Sequence, residues 1–127
     1  MKDTAISINK YISSILKGNE ELMKKVHSNI YPLIANQDTT FPFIIHQRDA
    51  VIANYTKDGR SNDSASFTIT IRSKSYADSI ELTEIIRGLF ERRHDNYFKL
   101  VQLSSVTEEY NGNDDSFTQR ITFVATI

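Results

Sequence analysis

The chain has 127 residues with 15 Lys and Arg against 16 Asp and Glu, a net charge of -1. That balance gives no bulk attraction to nucleic acid, and the absence of cysteine removes disulfide and thiolate chemistry and suits a reducing compartment. The length fits one domain over residues 1–127, in which roughly two thirds of the unfolded surface can be buried without a metal or a disulfide.

In chain order, Ile8, Tyr11, Ile12, Ile15 and Leu16 recur at helical spacing. They predict one amphipathic helix from about Thr4 to Lys17, with Asp3 or Thr4 at its start and Gly18 past its end. Asn19 reads as the N-cap of a short second helix to Val26, with Glu20 and Glu21 near its positive end. The first residues lack the apolar core of a secretory signal, and no apolar run reaches bilayer-spanning length. Membrane insertion is therefore not expected, and the two N-x-S/T matches, Asn54 and Asn62, carry little weight.

Both prolines follow an aromatic residue, in Tyr31-Pro32 and Phe41-Pro42. Proline biases the preceding residue toward extended geometry and removes a donor, so it suits a strand start or a sheet edge. Pro32 then ends the helical region and launches a short extended piece, Leu33 to Ala35, before a polar turn from Asn36 to Thr40. Pro42 starts a long strand, Phe41 to Tyr55, bent near Arg48-Asp49.

Tyr55 to Ser64 reads as a polar loop. Phe67, Ile69 and Ile71 then alternate with Thr68, Thr70 and Arg72, the pattern of a half-buried antiparallel strand from Ser66 to Ser73. Ser75 and Asp78 form a capping-box variant ahead of a helix over about Tyr76 to Arg93, whose stripe is Leu82, Ile85, Ile86, Leu89 and Phe90. A strand from Tyr97 to Tyr110 and a last strand from Phe117 to Ile127 flank the loop Asn111-Gly112-Asn113-Asp114-Asp115, a hairpin signal. The order α-β-β-α-β-β implies an α+β fold, a mostly antiparallel sheet of about four strands with two main helices packed on it.

Chemistry is sparse. His27, His46 and His94 are isolated from one another, so no metal site is written locally. His46 reads as a half-exposed strand residue. Asn111, Asn113 and Asp115 imitate the start of a calcium loop, but Ser116 stands where glycine is needed and Thr122 where the glutamate belongs. Lys57-Asp58-Gly59-Arg60 precedes no helix and is not a phosphate loop, and Arg92-Arg93-His94 reads as cations at a helix C-terminus. No nucleophile elbow is present. These residues imply no enzyme, no cofactor and no metal.

The stretch Asn29-Ile30-Tyr31-Pro32, a short polar gap, then Phe41-Pro42-Phe43-Ile44-Ile45 resembles the bacteriophage minor tail proteins of the tail-completion, or tail-terminator, family at the head–tail junction. The alternating strand, the helix with Leu82, Ile85, Leu89 and Phe90 and the final hairpin extend the resemblance over residues 5 to 127. It implies a non-enzymatic ring-shaped homo-oligomer, a hexamer, that caps the tail tube and joins it to the head connector. The implied partners are copies of itself, the tail-tube protein and the head-completion or connector protein. Neither sequence-specific nucleic acid nor a membrane is among them. The implied location is the virion tail, and the bacterial host cytoplasm during assembly.

Loops that can make heterologous contacts close a ring. Lys57, Asp58 and Arg60 in the first hairpin loop and Asn113, Asp114 and Asp115 in the second are the candidate assembly residues, with opposite charges that can pair between neighbours. Two other readings compete. One is a small α+β binding module for a peptide or small molecule, which calls for a deep apolar pocket. The other, the weakest, is an enzyme built on His46 with Asp49 or Arg48.

Overall fold

The structure, a computed structural model, describes residues 3–57, 59 and 61–127. A 3-10 turn, Ala5–Ser7, leads into helix α1, Ile8–Lys17, and then α2, Glu20–Val26. Strand β1, Ile30–Pro32, precedes the hairpin of β2, Phe43–Tyr55, and β3, Ser61–Ser73. Helix α3, Tyr76–Phe90, is followed by β4, Leu100–Asn111, and β5, Ser116–Thr126. The five strands form one sheet in the order β1-β2-β3-β5-β4. All neighbours are antiparallel except β1 and β2, which run parallel. The fold is α+β as expected, with a fifth strand.

That extra strand corrects the reading of Pro32. The extended piece lies before the proline, Ile30–Pro32, paired with Ile44 to His46. Pro32 is its last residue and sits at the sheet edge, where a missing N–H leaves no ladder bond unmade. Leu33 then turns away with φ 66. His27 and Ser28, with φ 53 and 70, make the left-handed exit from α2 that glycine more often supplies.

Helix caps agree with the sequence. Asn19 Oδ1 accepts the Leu22 N–H at 2.9 Å, and Ser75 Oγ accepts the Asp78 N–H at 3.3 Å. The capping box is only half made, because the Ser75 N–H donates to Ser73 Oγ at 3.1 Å. The first helix is split, its opening turn being 3-10 and capped by Thr4, whose Oγ1 accepts the Ile6 N–H at 3.3 Å. α3 stops at Phe90 rather than Arg93: Arg92 is left-handed at φ 61 and its N–H donates to Val101 O at 2.8 Å, which turns the chain toward β4.

The β2–β3 loop is shorter than Tyr55 to Ser64 suggested, since Ser61 to Ser64 belong to β3. Two of these polar side chains are tied in: Asn54 Nδ2 donates to Ser64 Oγ at 3.0 Å and Asp63 Oδ2 accepts the Ala5 N–H at 3.3 Å. The bend near Arg48-Asp49 is a register shift between Arg48 and Ala50. β4 starts at Leu100, not Tyr97. Asp95 Oδ1 accepts the N–H groups of Tyr97 and Phe98 at 2.8 and 2.7 Å, and that turn drives Phe98 into the core.

The core lies between the helices and one face of the sheet. Ile44, Phe67, Ile69, Ile71, Ile121, Phe123 and Ala125 point toward it and are buried. α1 contributes Ile8, Ile12 and Leu16, and α3 contributes Leu82, Ile86 and Phe90. Phe67 is the hub, with ring centroids 5.6 Å from Phe90, 5.3 Å from Phe123 and 6.3 Å from Phe98. The opposite face is rich in threonine, and there Thr68 Oγ1 lies 3.0 Å from Thr122 Oγ1.

Candidate functional site

The two candidate loops lie at opposite ends of the strands. Tyr55 pairs with Ser61 at one end, and Asn111 pairs with Ser116 at the other. Lys57 is exposed beside Gly59, whose φ of 76 makes the turn. Asp58 and Arg60 lie outside the described residues. Asn113, Asp114 and Asp115 come together in the β4–β5 turn, where the left-handed residue is Asp115, φ 52, rather than Gly112. The Asn113 N–H donates to Asn111 Oδ1 at 2.9 Å.

Asp114 is tied into its own subunit. Arg72 donates to its Oδ2 at 2.8 Å and to Ser116 Oγ at 2.8 Å, and Ser116 donates to Asp114 Oδ1. Lys74 Nζ donates to the Asp114 carbonyl. The Ser116 hydroxyl and the cations hold the Asp114 carboxyl below its ordinary pKa. The Arg72 guanidinium lies 5.6 and 5.7 Å from the Phe41 and Phe43 rings, and Lys74 lies 4.9 Å from Phe41. This cluster joins the β4–β5 turn to the segment around the cis Phe41–Pro42 bond. Asp115 accepts a hydrogen bond from Tyr110 Oη and is exposed.

His46 corrects the sequence reading. It is buried, 1% exposed, under α1, with Nδ1 donating to Asn9 Oδ1 at 3.0 Å and no partner at Nε2 among the described residues. Burial, with Lys17 nearby, pushes its pKa down to about 4. Arg48 is committed to the Ile6 carbonyl at 2.7 Å, and Asp49 accepts from Thr68 Oγ1. The three do not converge on a common space. Among the described residues no three His, Asp or Glu side chains are grouped to hold a metal, and no helix is long and apolar enough to cross a membrane.

Two features escaped sequence reasoning. β4 ends the sheet, so among the described residues one edge of this twelve-residue strand has no partner strand. Beside it, Tyr76, Glu108, Glu109, Tyr110, Phe117 and Gln119 line an open cleft of 340 Å³. The mostly polar run from Gln102 to Glu109 was a signal for an exposed strand, but only the tertiary order shows which strand is terminal.

No family model matches the chain, and no curated protein matches it. Among solved structures, a chain from the "Virion of native gene transfer agent (GTA) particle" is similar in fold, with a TM-score of 0.77 over 91% of this chain and 90% of that one. The two are 11% identical. At that identity the likeness is one of fold.

Proposed function

We propose that this chain is a non-enzymatic structural subunit of a phage-like virion. In this reading it caps the tail tube as a hexameric ring and offers the ring to the head connector. The observation that carries the proposal is the shared fold with a gene transfer agent virion chain over about nine tenths of both molecules. The resemblance of Asn29 to Ile45 to tail-completion proteins adds to it.

Lys57, Asp58 and Arg60 on one loop and Asn113, Asp114 and Asp115 on the other are the proposed ring contacts. Because the loops lie at opposite strand ends, pairing between neighbours runs the strands around the circumference of the ring. A heterologous contact of this kind closes when the rotation per subunit divides the circle. The free edge of β4 then lies clear of these loop contacts and is open to a tube or connector protein.

Co-expression with the tail-tube protein and negative-stain imaging test this reading. Tubes of uniform length, each closed by a ring at one end, are expected. Over-long tubes with bare ends, unaffected by the added chain, would overturn it.

A further inference from the structure

The cleft beside β4 is built around one carboxylate. Glu108 Oε2 accepts hydrogen bonds from Tyr76 Oη and Gln119 Nε2, both at 2.9 Å. Gln119 is itself buried and its amide also donates to Ser79 Oγ at 3.3 Å, so the donor that aims Glu108 is fixed from below. These hydrogen bonds, Gln119 first, hold the Glu108 carboxyl below its ordinary pKa, which keeps it charged at neutral pH. The adjacent Glu109 has a cation of its own, Arg120 at 3.0 Å. Among the described residues no Lys or Arg pairs with Glu108.

Around this unmatched charge stand aromatic rings. Phe117 lies 5.5 Å from Tyr76 and 5.3 Å from Tyr110, centroid to centroid, and the two tyrosines are 46% and 55% exposed. An aimed carboxylate among aromatic rings recognises a guanidinium or ammonium group. A second cleft, of 360 Å³, shares Glu108 and Gln119 and continues between α3 and β4, with Ile80 and Val106 exposed along it. The two clefts form a groove beside the open backbone edge of β4. An unpaired edge with side-chain pockets alongside is the geometry of strand addition.

We propose that this groove docks an extended segment of a different polypeptide, which adds to β4 as a sixth strand and seats an arginine side chain on Glu108 between Tyr76 and Tyr110. A different polypeptide fits better than a second copy. Of the chain's own open strand edges, β1 and β4 carry no Lys or Arg, and the third is residues 47–55 of β2, because β1 covers only Ile44 to His46. The one cation in that stretch, Arg48, is bound to the Ile6 carbonyl.

The test uses the full chain, isotope-labelled and free of tube protein. It is titrated with the capped peptide acetyl-Thr-Val-Arg-Val-Thr-amide and with the same peptide carrying glutamine for arginine. Amide shifts are expected along residues 105–110 and at the start of α3. Binding should weaken at least about tenfold with the glutamine peptide, and by a similar factor in Glu108→Gln. Tyr110→Ala, at an exposed position, should weaken it too while leaving the rest of the spectrum in place.

Equal binding of both peptides, shifts away from β4, or no shifts at millimolar peptide would overturn the proposal. So would self-association of the free chain that Glu108→Gln abolishes, since the occupant would then be a second copy. Tube capping is read without the peptide, so failure of either experiment leaves the other standing.

Discussion

Arg72 reaches from β3 to Asp114 in the β4–β5 turn at 2.8 Å while its guanidinium faces Phe41 and Phe43. The turn that carries three of the candidate assembly residues is thus anchored to the sheet by an ion pair. Asp114 and Asp115, adjacent and alike in charge, differ in what they hold.

Neutralising them separates folding from assembly. Asp114→Asn removes the charge from a half-exposed pair and weakens its bonds to Ser116, and the midpoint should fall below that of the parent. Asp115→Asn keeps a residue that tolerates the left-handed region and should stay within about 0.5 kcal/mol of the parent. Urea midpoints measure both. Asp115→Asn is therefore the clean probe of ring contacts, and an assembly defect in it with an unchanged midpoint assigns the loop to the interface.

His46 makes stability depend on pH. Its pKa is about 4 when folded and near 6.5 in the free side chain, so between those values the unfolded chain binds the extra proton. Stability is full above about pH 6.5 and falls as pH drops toward 4, by roughly 3 kcal/mol in all. His46→Leu should flatten the profile over that window. Denaturation midpoints at pH 7, 5.5 and 4.5 check it, and a wild-type midpoint that stays constant from pH 7 to 4.5 would contradict it.

The N-terminal helix is fastened to the chain ahead of β4 by a stack. Tyr11 and Tyr97 lie with ring centroids 3.7 Å apart and planes 8° from parallel, and Tyr97 Oη donates to Thr4 O at 2.6 Å. Tyr97→Ala should cost roughly 2–3 kcal/mol, and Tyr97→Phe about 1 kcal/mol for the hydroxyl alone. A double-mutant cycle with Tyr11→Ala should show a coupling of about 0.5–1.5 kcal/mol.

The half-made capping box at α3 also has a consequence. Ser75→Ala should lose about 1 kcal/mol, because it strips the acceptor from the Asp78 N–H. Asp78→Ala should lose less, about 0.5 kcal/mol, since only its charge near the helix N-terminus contributes. Equal losses in thermal unfolding would mean that the reciprocal bond forms after all.

Much of the fold was legible in the residues. The stripe Ile8, Ile12, Leu16 and the alternation Phe67, Ile69, Ile71 mark their elements because burial on one face imposes a period, and each of these side chains is buried. The caps Asn19 and Ser75 were legible because a side-chain acceptor is a local device. Element ends were not. Ser61 to Ser64 looked like loop, and Tyr97 to Lys99 looked like strand, until Asp63 met Ala5 and Asp95 met the N–H groups of Tyr97 and Phe98.

The candidate sites divide in the same way. The charged loops could be named from the sequence because turns carry polar residues. Their placement at opposite ends of the strands, and the tie of Asp114 to Arg72, could not.

By itself, then, the amino-acid order determined the α+β class, the helical and strand faces and the positions of the turns, since these depend on neighbours within a few residues. The tertiary structure alone decided that β1 joins the sheet in parallel, that His46 is buried, and that β4 is the open edge beside Glu108. Those outcomes depend on pairings between segments far apart in the chain, and periodicity along the chain carries no information about which strand ends up beside which.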